Sequence, residues 1–197
     1  MVNMRTKAEF RSLAQTLRKQ HAGDPPVSFL ATTQHIPAFM AASAVAVYLR
    51  CGVEAPTEDI IACCHASGQR VGVPVWMPDT DVYTFCDLSH DERLVPGRMH
   101  IREPADKRPA DSTIYDFFIV PGLIFDAQGT RIGHGKGYYD RLLANRHPRA
   151  VVAALAFDWQ ISSELLPHEP HDIPMDLLIT PTRVISCPRH DREPPVG

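Results

Sequence analysis

Three glycines at every second position, set among charged residues, form the part of this chain best suited to chemistry. Residues 131–141 are Arg-Ile-Gly-His-Gly-Lys-Gly-Tyr-Tyr-Asp-Arg. Glycine has no side chain and takes positive φ readily, so such a loop can turn its backbone amides toward an anion. Lys136 adds a mobile positive charge, and Asp140 adds a carboxylate one turn into a helix that follows. The run therefore predicts chemistry on phosphate groups, with a cation and a carboxylate close by.

Two better-known glycine loops do not fit this run. The phosphate loop of many nucleotide hydrolases is Gly-x-x-x-x-Gly-Lys-Ser/Thr, whereas Lys136 is followed by Gly137, which has no hydroxyl to hold magnesium. A dinucleotide fingerprint needs Gly-x-Gly-x-x-Gly near the start of a strand-helix-strand unit, and here the spacing differs and the position is late. A plain flexible turn would explain the glycines but not the surrounding charges. We therefore favour a binding loop, whose ligand the loop alone leaves open.

The composition excludes several classes of protein. The 197 residues suit one domain with a three-layer core, and 44% hydrophobic with 22% charged residues is typical of a globular protein. The net charge of -3 gives no general attraction to nucleic acid or to an anionic membrane. No apolar run approaches the ~20 residues of a membrane span. The N-terminal residues lack the pattern of a signal peptide, which predicts a cytoplasmic protein.

Neither the cysteines nor the histidines predict a metal site. The cysteines are odd in number and have no metal-ligand spacing, which indicates reduced thiols at Cys51, Cys63, Cys64, Cys86 and Cys187. The ten histidines are scattered. His168 and His171 lie three apart, but the prolines around them prevent a regular helix, so we predict a surface loop there.

The elements that must position the glycine run alternate between helices and strands. Apolar spacing predicts a helix over 6–20, and a hydroxyl cap, early acids and a final glycine predict another over 57–68. A weaker, alanine-rich helical pattern precedes Ser43. Residues 138–144 form the helix after the glycine run. Short apolar runs predict strands over 44–49, 71–75, 82–86, 117–120, 151–157, 177–180 and 183–186.

This order predicts an α/β domain of three layers, α/β/α, with a mostly parallel sheet and helices on both sides. Residues 87–113 are polar and rich in proline, which predicts a long connection with little core. We expect a single domain over 1–187 and a mobile tail over 188–197. Because ligands gather beyond the carboxyl ends of parallel strands, the segments after Leu49, Val75, Val120 and Phe157 should face one cleft. Those segments contain residues 50–57, Trp76 onward, the glycine run, and Asp158 with Trp159.

Groups outside the run fit the same chemistry. Lys7 and Arg11 lie four apart on the first helix and could clamp two phosphate oxygens, although a solvated helix face explains them better when they are taken alone. Glu54 follows a buried strand, where a carboxylate could hold an NH-rich ring; a surface acid is the alternative. Asp172 could share a divalent cation with Asp140, because cations bound to nucleotide phosphates take one or two carboxylates.

The order of these features resembles the 5-formyltetrahydrofolate cyclo-ligase family, also called methenyltetrahydrofolate synthetases. The most specific part is Val-Pro-Gly-Leu-Ile-Phe-Asp at 120–126, followed by Gly-Thr-Arg-Ile-Gly-His-Gly-Lys-Gly-Tyr-Tyr-Asp-Arg at 129–141. The Lys7-x-x-x-Arg11 pair, Val73-Pro74 and Ile-Arg-Glu-Pro at 101–104 add weaker support. The similarity extends from Lys7 to about Thr180, nearly the whole chain.

The resemblance implies a fold related to the sugar-phosphate isomerases and CoA transferases, with ATP as co-substrate, reduced folate as substrate and Mg²⁺ as cofactor. ATP would be bound by Lys7, Arg11, Arg131, Ile132, Gly133, His134, Gly135, Lys136, Gly137, Tyr138 and Tyr139. The folate would contact Leu49, Glu54, His134, Gly135, Lys136, Gly137 and Tyr138. Magnesium would be held at Asp140 and Asp172.

For catalysis, the resemblance implies that Lys136 and Arg131 neutralise a moving phosphoryl group. Tyr138 and Tyr139 are candidates to line the pterin pocket, and one of them is expected in the core.

Two rival functions remain open. His134 and Met99 differ from the residues often found at these positions, so a paralogue could use ATP on another compound, in thiamine or formyl-group salvage. A nucleotide- or RNA-binding module without catalysis could also use the Gly-Lys-Gly loop, although the acidic net charge and the lack of a basic face argue against it. The partners expected are small molecules rather than nucleic acid or a membrane. The sequence predicts no oligomeric state.

Overall fold

The structure, a computed structural model, describes residues 5–188, apart from the side chain of His100. The helices are α1 (Lys7–Gln20), α2 (Leu30–Gln34), α3 (Pro37–Met40), α4 (Glu58–Ala66) and α5 (Tyr138–Ala144). The strands are β1 (Ala44–Val47), β2 (Arg70–Met77), β3 (Val82–Asp87), β4 (Leu94–Pro96), β5 (Arg102–Pro104), β6 (Pro109–Ala110), β7 (Phe117–Val120), β8 (Ile124–Asp126), β9 (Arg131–Ile132), β10 (Val151–Leu155), β11 (Ile161–Ser162), β12 (Leu177–Ile179) and β13 (Val184–Ser186).

A large, mostly parallel sheet forms the centre of the molecule. Within residues 5–188 its strand order is β13-β12-β10-β7-β1-β2-β3-β6. The central strands β12, β10, β7, β1 and β2 run parallel, while β13, β3 and β6 pair antiparallel at the two ends. All residues of β1 and β7 are buried, because each strand is a continuous apolar run covered on both faces.

Helices cover both faces of this sheet, as predicted. On one face Val45, Val47 and Phe117 pack with Phe39 of α3 and Ile60 of α4. On the other face the neighbouring strand residues, among them Ala46 and Phe118, pack with Leu142 and Leu143 of α5. The alternation of strand side chains between the two faces produces two separate hydrophobic clusters. The three-layer α/β/α class is therefore confirmed.

The N-terminal helix packs on a small second sheet that the sequence did not predict. In this sheet β8 lies between β11 and β9. Phe10 and Ala14 of α1 contact Ile124 and Ile132 in a compact apolar cluster. The helix begins where predicted, because the hydroxyl of Thr6 accepts from the backbone N–H of Glu9 and the Glu9 carboxylate accepts from Thr6. This packing brings the charged side of α1 to the glycine run.

The expectation that residues 87–113 form a long connection with little core is confirmed in that few of these residues are buried, but the sequence did not predict the strands within it. This segment contains the β4–β5 hairpin and β6, which extends the central sheet. Glu103 in β5 is buried, accepts from the backbone N–H of Trp76 at 3.2 Å and pairs with Lys107 at 2.8 Å. The polar and proline-rich composition did not predict these strands, because they are short and lie at sheet edges, where a few buried polar contacts are enough to hold a strand in place.

Smaller differences affect where the functional segments begin. The strand predicted over 151–157 ends at Leu155, since the segment then enters a 3₁₀ turn at Asp158–Gln160. Strand β2 continues to Met77, so Trp76 lies in a strand and not in the following loop. The weak helical pattern before Ser43 corresponds to the short helices α2 and α3.

The strands predicted over 177–180 and 183–186 are confirmed as the antiparallel pair β12 and β13. The predicted mobile tail from residue 189 onward lies outside the described residues. Within residues 5–188 no helix has the length and apolar character needed to cross a membrane.

Candidate active site

A cavity of about 420 Å³ lies where the glycine run, α1 and the ends of the central strands meet. Every site residue expected from the sequence lines it. On the side of α1 and the glycine run these are Lys7, Arg11, Arg131, Ile132, Gly133, His134, Gly135, Lys136, Gly137, Tyr138, Tyr139, Asp140 and Asp172. Leu49 and Glu54 line it from beyond β1. A cavity of this volume can hold a small organic ligand.

The glycine run has the backbone that its composition predicted. Gly135 and Gly137 have φ of +84° and +61°, which a residue with a Cβ adopts only with strain. A Cβ on Gly133 would lie 2.9 Å from an Arg131 guanidinium nitrogen, and one on Gly135 would lie 3.0 Å from an Arg11 nitrogen. Since α5 has only seven residues, the preference for an anion depends on the loop amides and nearby cations more than on the helix.

Arg131 and Lys136 differ in how they are held. Arg131 is only 7% exposed and donates to the Asp140 carboxylate at 3.0 Å. Its Nε is buried and has no hydrogen-bond partner among residues 5–188. Lys136 is exposed, and no ion pair or hydrogen bond engages its amino group within the described part of the chain. The site therefore combines a fixed guanidinium with a mobile ammonium.

Lys7 and Arg11 are only partly exposed, so they do not form the solvated helix face that was the alternative. Both side chains already have partners within the protein. The Lys7 amino group donates to Asp172 at 2.6 Å and pairs with Glu169 at 3.1 Å. Burial opposes charge on Lys7, but the hydrogen bonds and charges of the two acids outweigh it and raise its pKa. Arg11 Nε donates to the carbonyl of Gly133 at 3.0 Å, so α1 supports the glycine run directly.

Asp140 and Asp172 line the same cavity, each paired with its own cation. Asp140 accepts from Arg131 and from the backbone N–H of Ile173. Burial favours the neutral form of Asp172, but Lys7 outweighs this and lowers the pKa of Asp172. Carboxylate oxygens are the ligands that Mg²⁺ prefers, so both residues suit the predicted metal. The described groups that approach one another as three metal ligands are Glu169, His171 and Asp172, all within 4.8 Å.

Tyr83 and Tyr138 form a second, aromatic wall of the cavity, and Trp76 packs against both rings. The ring of Tyr138 lies 4.8 Å from that of Tyr83 and 6.3 Å from that of Trp76, in edge-to-face geometry. The guanidinium of Arg98 covers the Trp76 ring at 3.5 Å. Tyr139 packs against both core clusters, so Tyr138 lines the cavity while Tyr139 belongs largely to the core.

Glu54 provides the carboxylate of this second wall. Tyr48 holds the loop after β1 by donating to the carbonyl of Ala55 at 2.7 Å, and Glu54 accepts from the backbone N–H of Cys51 at 2.9 Å. Burial raises the pKa of Glu54, although the Cys51 hydrogen bond and the charge of Arg18 partly oppose the rise. A carboxyl in this setting can accept from, or share a proton with, a polar ring.

His134 faces the cavity between the two walls. Burial, followed by the positive charges of Arg18 and Arg11, lowers its pKa. His134 is therefore neutral at pH 7 and does not add to the positive charge of the glycine run.

Asp158 and Trp159 do not reach this cavity, which corrects one expectation. They line a separate groove, and Trp159 stacks on His21 and Phe157 with ring centroids 5.1 and 5.4 Å apart. The cause is Gln160, whose buried amide donates to the carbonyls of Gly122 and Leu123 and turns the chain after β10 away from the cavity.

Several lining residues were missed from the sequence. They include Tyr83 in β3, Pro74 in β2, Ile101 beside β5, and Glu169. The alternation in β3 places Tyr83 on the face opposite Val82, a signal that indicates a face of the sheet but not a cavity. Histidines 168 and 171 lie in an exposed loop, as expected, and the cysteines are free thiols.

An α/β domain whose cavity combines a cation-rich glycine loop with aromatic residues is suited to bind small molecules. Residues 4–181 match the 5-formyltetrahydrofolate cyclo-ligase family. The 5-formyltetrahydrofolate cyclo-ligase of Escherichia coli K12 is 34% identical over 154 residues, covering 75% of this chain and 83% of that protein. The mouse enzyme of the same name is 27% identical over 193 residues, covering 89% and 93%.

Solved structures are similar along the chain. The 5,10-methenyltetrahydrofolate synthetase of Aquifex aeolicus matches with a TM-score of 0.73 and 25% identity, covering 95% of each chain. That of Mycoplasma pneumoniae has a TM-score of 0.66 at 19% identity, covering 88% of this chain and 97% of its own, and supports the fold alone. The chain belongs to the 5-formyltetrahydrofolate cyclo-ligase family and is a ligase.

Proposed function

We propose that this protein uses ATP to convert 5-formyltetrahydrofolate to 5,10-methenyltetrahydrofolate, releasing ADP and phosphate. The observation that carries the proposal is that one cavity joins the cationic glycine loop to a wall of aromatic residues with a buried carboxyl. A triphosphate suits the first wall, and a flat ring rich in N–H groups suits the second. Membership of the cyclo-ligase family supports the same pairing of substrates.

The reaction requires activation of an unreactive amide-like group. Transfer of the γ-phosphoryl group to the formyl oxygen makes the formyl carbon electrophilic and its oxygen a leaving group. Nitrogen 10 then attacks this carbon and gives up its proton, the C–O bond breaks, and phosphate departs with the former formyl oxygen. Lys136 and Arg131, with the amides of Gly135 and Gly137, hold the phosphoryl charge as it moves. No side-chain nucleophile is needed.

Placement of the two substrates is the other task of the site. Lys7 and Arg11 lie beside the glycine run, where they can bind phosphate oxygens once the acids that pair with Lys7 are compensated. Leu49 and Glu54 lie on the folate side, and Tyr138 presents its ring to the pteridine. Holding the formyl oxygen in line with the γ-phosphorus supplies much of the rate enhancement expected for such a transfer.

Asp140 and Asp172 would hold Mg²⁺ beside the phosphates. The bound ion would neutralise phosphate charge. It would also balance the negative charges of Asp140 and Asp172 when Arg131 and Lys7 bind the nucleotide instead. Asp140→Asn should raise the Mg²⁺ concentration that gives half-maximal turnover. Saturation at the wild-type concentration in this variant would remove Asp140 from the metal site.

The test is a direct assay of methenyltetrahydrofolate absorbance with 5-formyltetrahydrofolate, ATP and Mg²⁺. We expect absorbance to rise only when all three are present, with one ADP formed per ring closed. ATP hydrolysis without methenyl product would indicate a paralogue with another substrate, the alternative that His134 and Met99 leave open. Salt-sensitive RNA binding without ATP turnover would indicate a binding module.

A further inference from the structure

Tyr83 carries a polar group that the proposed reaction does not yet use. Its hydroxyl is buried and has no hydrogen-bond partner among residues 5–188, although its side chain lines the cavity. A buried hydroxyl without a partner lowers stability by about 1–3 kcal/mol, so such groups call for a structural or functional reason. Tyr83 lies within the aromatic wall, 4.8 Å from the ring of Tyr138 and 5.1 Å from that of Trp76.

The surroundings keep this hydroxyl protonated. Burial, then the negative charge of Glu103 and the neighbouring Tyr138, raise the pKa of Tyr83. Glu103 is itself held by Lys107 and by the backbone of Trp76, so it does not accept from Tyr83. At neutral pH the group is a hydrogen-bond donor that has no acceptor among residues 5–188.

The ring of Tyr138 packs edge-to-face against that of Tyr83. Tyr138 is the first residue of α5 and directly follows Gly137, which has a left-handed backbone. A flat ligand that enters against the aromatic wall meets the Tyr138 ring first. A small rotation of that ring would bring the Tyr83 hydroxyl into contact with the edge of the ligand.

We propose that the Tyr83 hydroxyl donates a hydrogen bond to the ring carbonyl of the bound reduced pteridine and so contributes to substrate specificity. This inference rests on the proposed function, which identifies the bound ligand as the reduced folate. The formyl oxygen is a worse partner, because a donor there would weaken its attack on the γ-phosphorus. A phosphate oxygen is a worse partner, because Arg131, Lys136 and the amides of the glycine run already provide cations and N–H donors for phosphate in this cavity.

The chain contains a matched control for the test. Tyr115 is also fully buried, and its hydroxyl has no partner within the described residues 5–188, but it lies in the core against Phe85 and Phe118 and does not line the cavity. Tyr83→Phe and Tyr115→Phe each remove one orphan hydroxyl and keep the ring. Neither substitution should lower the melting temperature, because no hydrogen bond within the protein is lost.

We expect Tyr83→Phe to raise the KM for 5-formyltetrahydrofolate, and its Kd by calorimetry, roughly three- to tenfold, the effect of one lost hydrogen bond. The KM for ATP should not change, and Tyr115→Phe should change neither constant. An unchanged folate Kd in Tyr83→Phe, an equal rise in Tyr115→Phe, or a rise in the ATP KM alone would overturn the inference. Wild-type protein that binds the folate without closing its ring would refute the proposed function, while the Kd values would still test the hydrogen bond.

Discussion

The two walls of the cavity are built in different ways. The cationic wall comes mainly from one stretch, 131–140, supported by the first two turns of α1. The aromatic wall collects Leu49 and Glu54 after β1, Pro74 of β2, Tyr83 of β3 and Ile101 beside β5. Except for Tyr138, which directly follows the glycine run, its members are far apart in sequence, and those from β1, β2 and β3 meet because these strands are neighbours in the sheet.

This contrast shows which part of an active site can be recognised in a sequence. A contiguous loop keeps its residue types and spacing visible in the chain. A wall assembled across strands leaves only single residues at separate places, and each of these has an ordinary core explanation. The same division predicts separable effects: changes in the cationic wall should alter turnover and nucleotide binding, and changes in the aromatic wall should alter folate binding.

The largest expected effect is on turnover when Lys136 is changed. Lys136→Ala should lower kcat about 100- to 1000-fold, the range for loss of one group that stabilises transition-state charge. The melting temperature should stay within error, since Lys136 is exposed and its amino group makes no hydrogen bond or ion pair with residues 5–188. Lys19→Ala, which removes an equally exposed lysine from α1, serves as the control. A large melting loss with normal turnover would contradict the assigned role.

Glu54→Gln should act on the other wall. The KM for 5-formyltetrahydrofolate should rise about 10- to 100-fold, because a hydrogen bond to a charged group contributes about 1.5–3 kcal/mol. Steady-state kinetics should show an unchanged KM for ATP. Glu58→Gln, which alters an exposed acid paired with Arg50 in the neighbouring groove, should affect neither constant. If both variants shifted ATP and folate together, the two walls would not be separate.

Substituting alanine for two glycines with similar backbone angles should separate the effect of backbone strain on stability from the effect of the glycine run on nucleotide binding. Gly135 and Gly68 have φ of +84° and +74°, but a Cβ on Gly68 would meet nothing within 4 Å, whereas one on Gly135 would meet Arg11. Each change to alanine should lower the free energy of unfolding by about 1 kcal/mol, measured by denaturant titration. Only Gly135→Ala should also raise the KM for ATP. Equal kinetic effects would show that the glycine run has no special role.

The smallest expected effect is a pH dependence of stability. Burial raises the pKa of Glu54 above its ordinary value of 4.5. A carboxyl with a raised folded-state pKa contributes stability below its unfolded pKa, and this contribution is lost as pH rises through the folded value. The stability of the wild type relative to Glu54→Gln should therefore fall as pH rises from about 4.5 toward neutrality. A flat difference in unfolding free energy would show that Glu54 is not desolvated.

Much of the fold could be predicted because its signals are local. The buried strands β1, β7 and β10 are short apolar runs, and α1 has apolar spacing with a capping residue at Thr6. The small sheet of β8, β9 and β11 was missed because strands of two or three residues have too little pattern. The hairpin of β4 and β5 was missed because Glu103 is buried, and burial of a charged residue requires partners that composition does not reveal.

The class of fold, the glycine run with its cations, and the family could all be inferred from the amino-acid sequence, because residue type and spacing govern local backbone conformation. Which distant groups meet depends on the packing of the folded chain. Lys7 and Asp172 are 165 residues apart yet hydrogen-bonded at 2.6 Å, and Tyr83, whose hydroxyl has no partner in the described part of the chain, lines the cavity. Strand order and helix packing control such encounters. They arise from the burial of the whole apolar surface, which no single segment encodes.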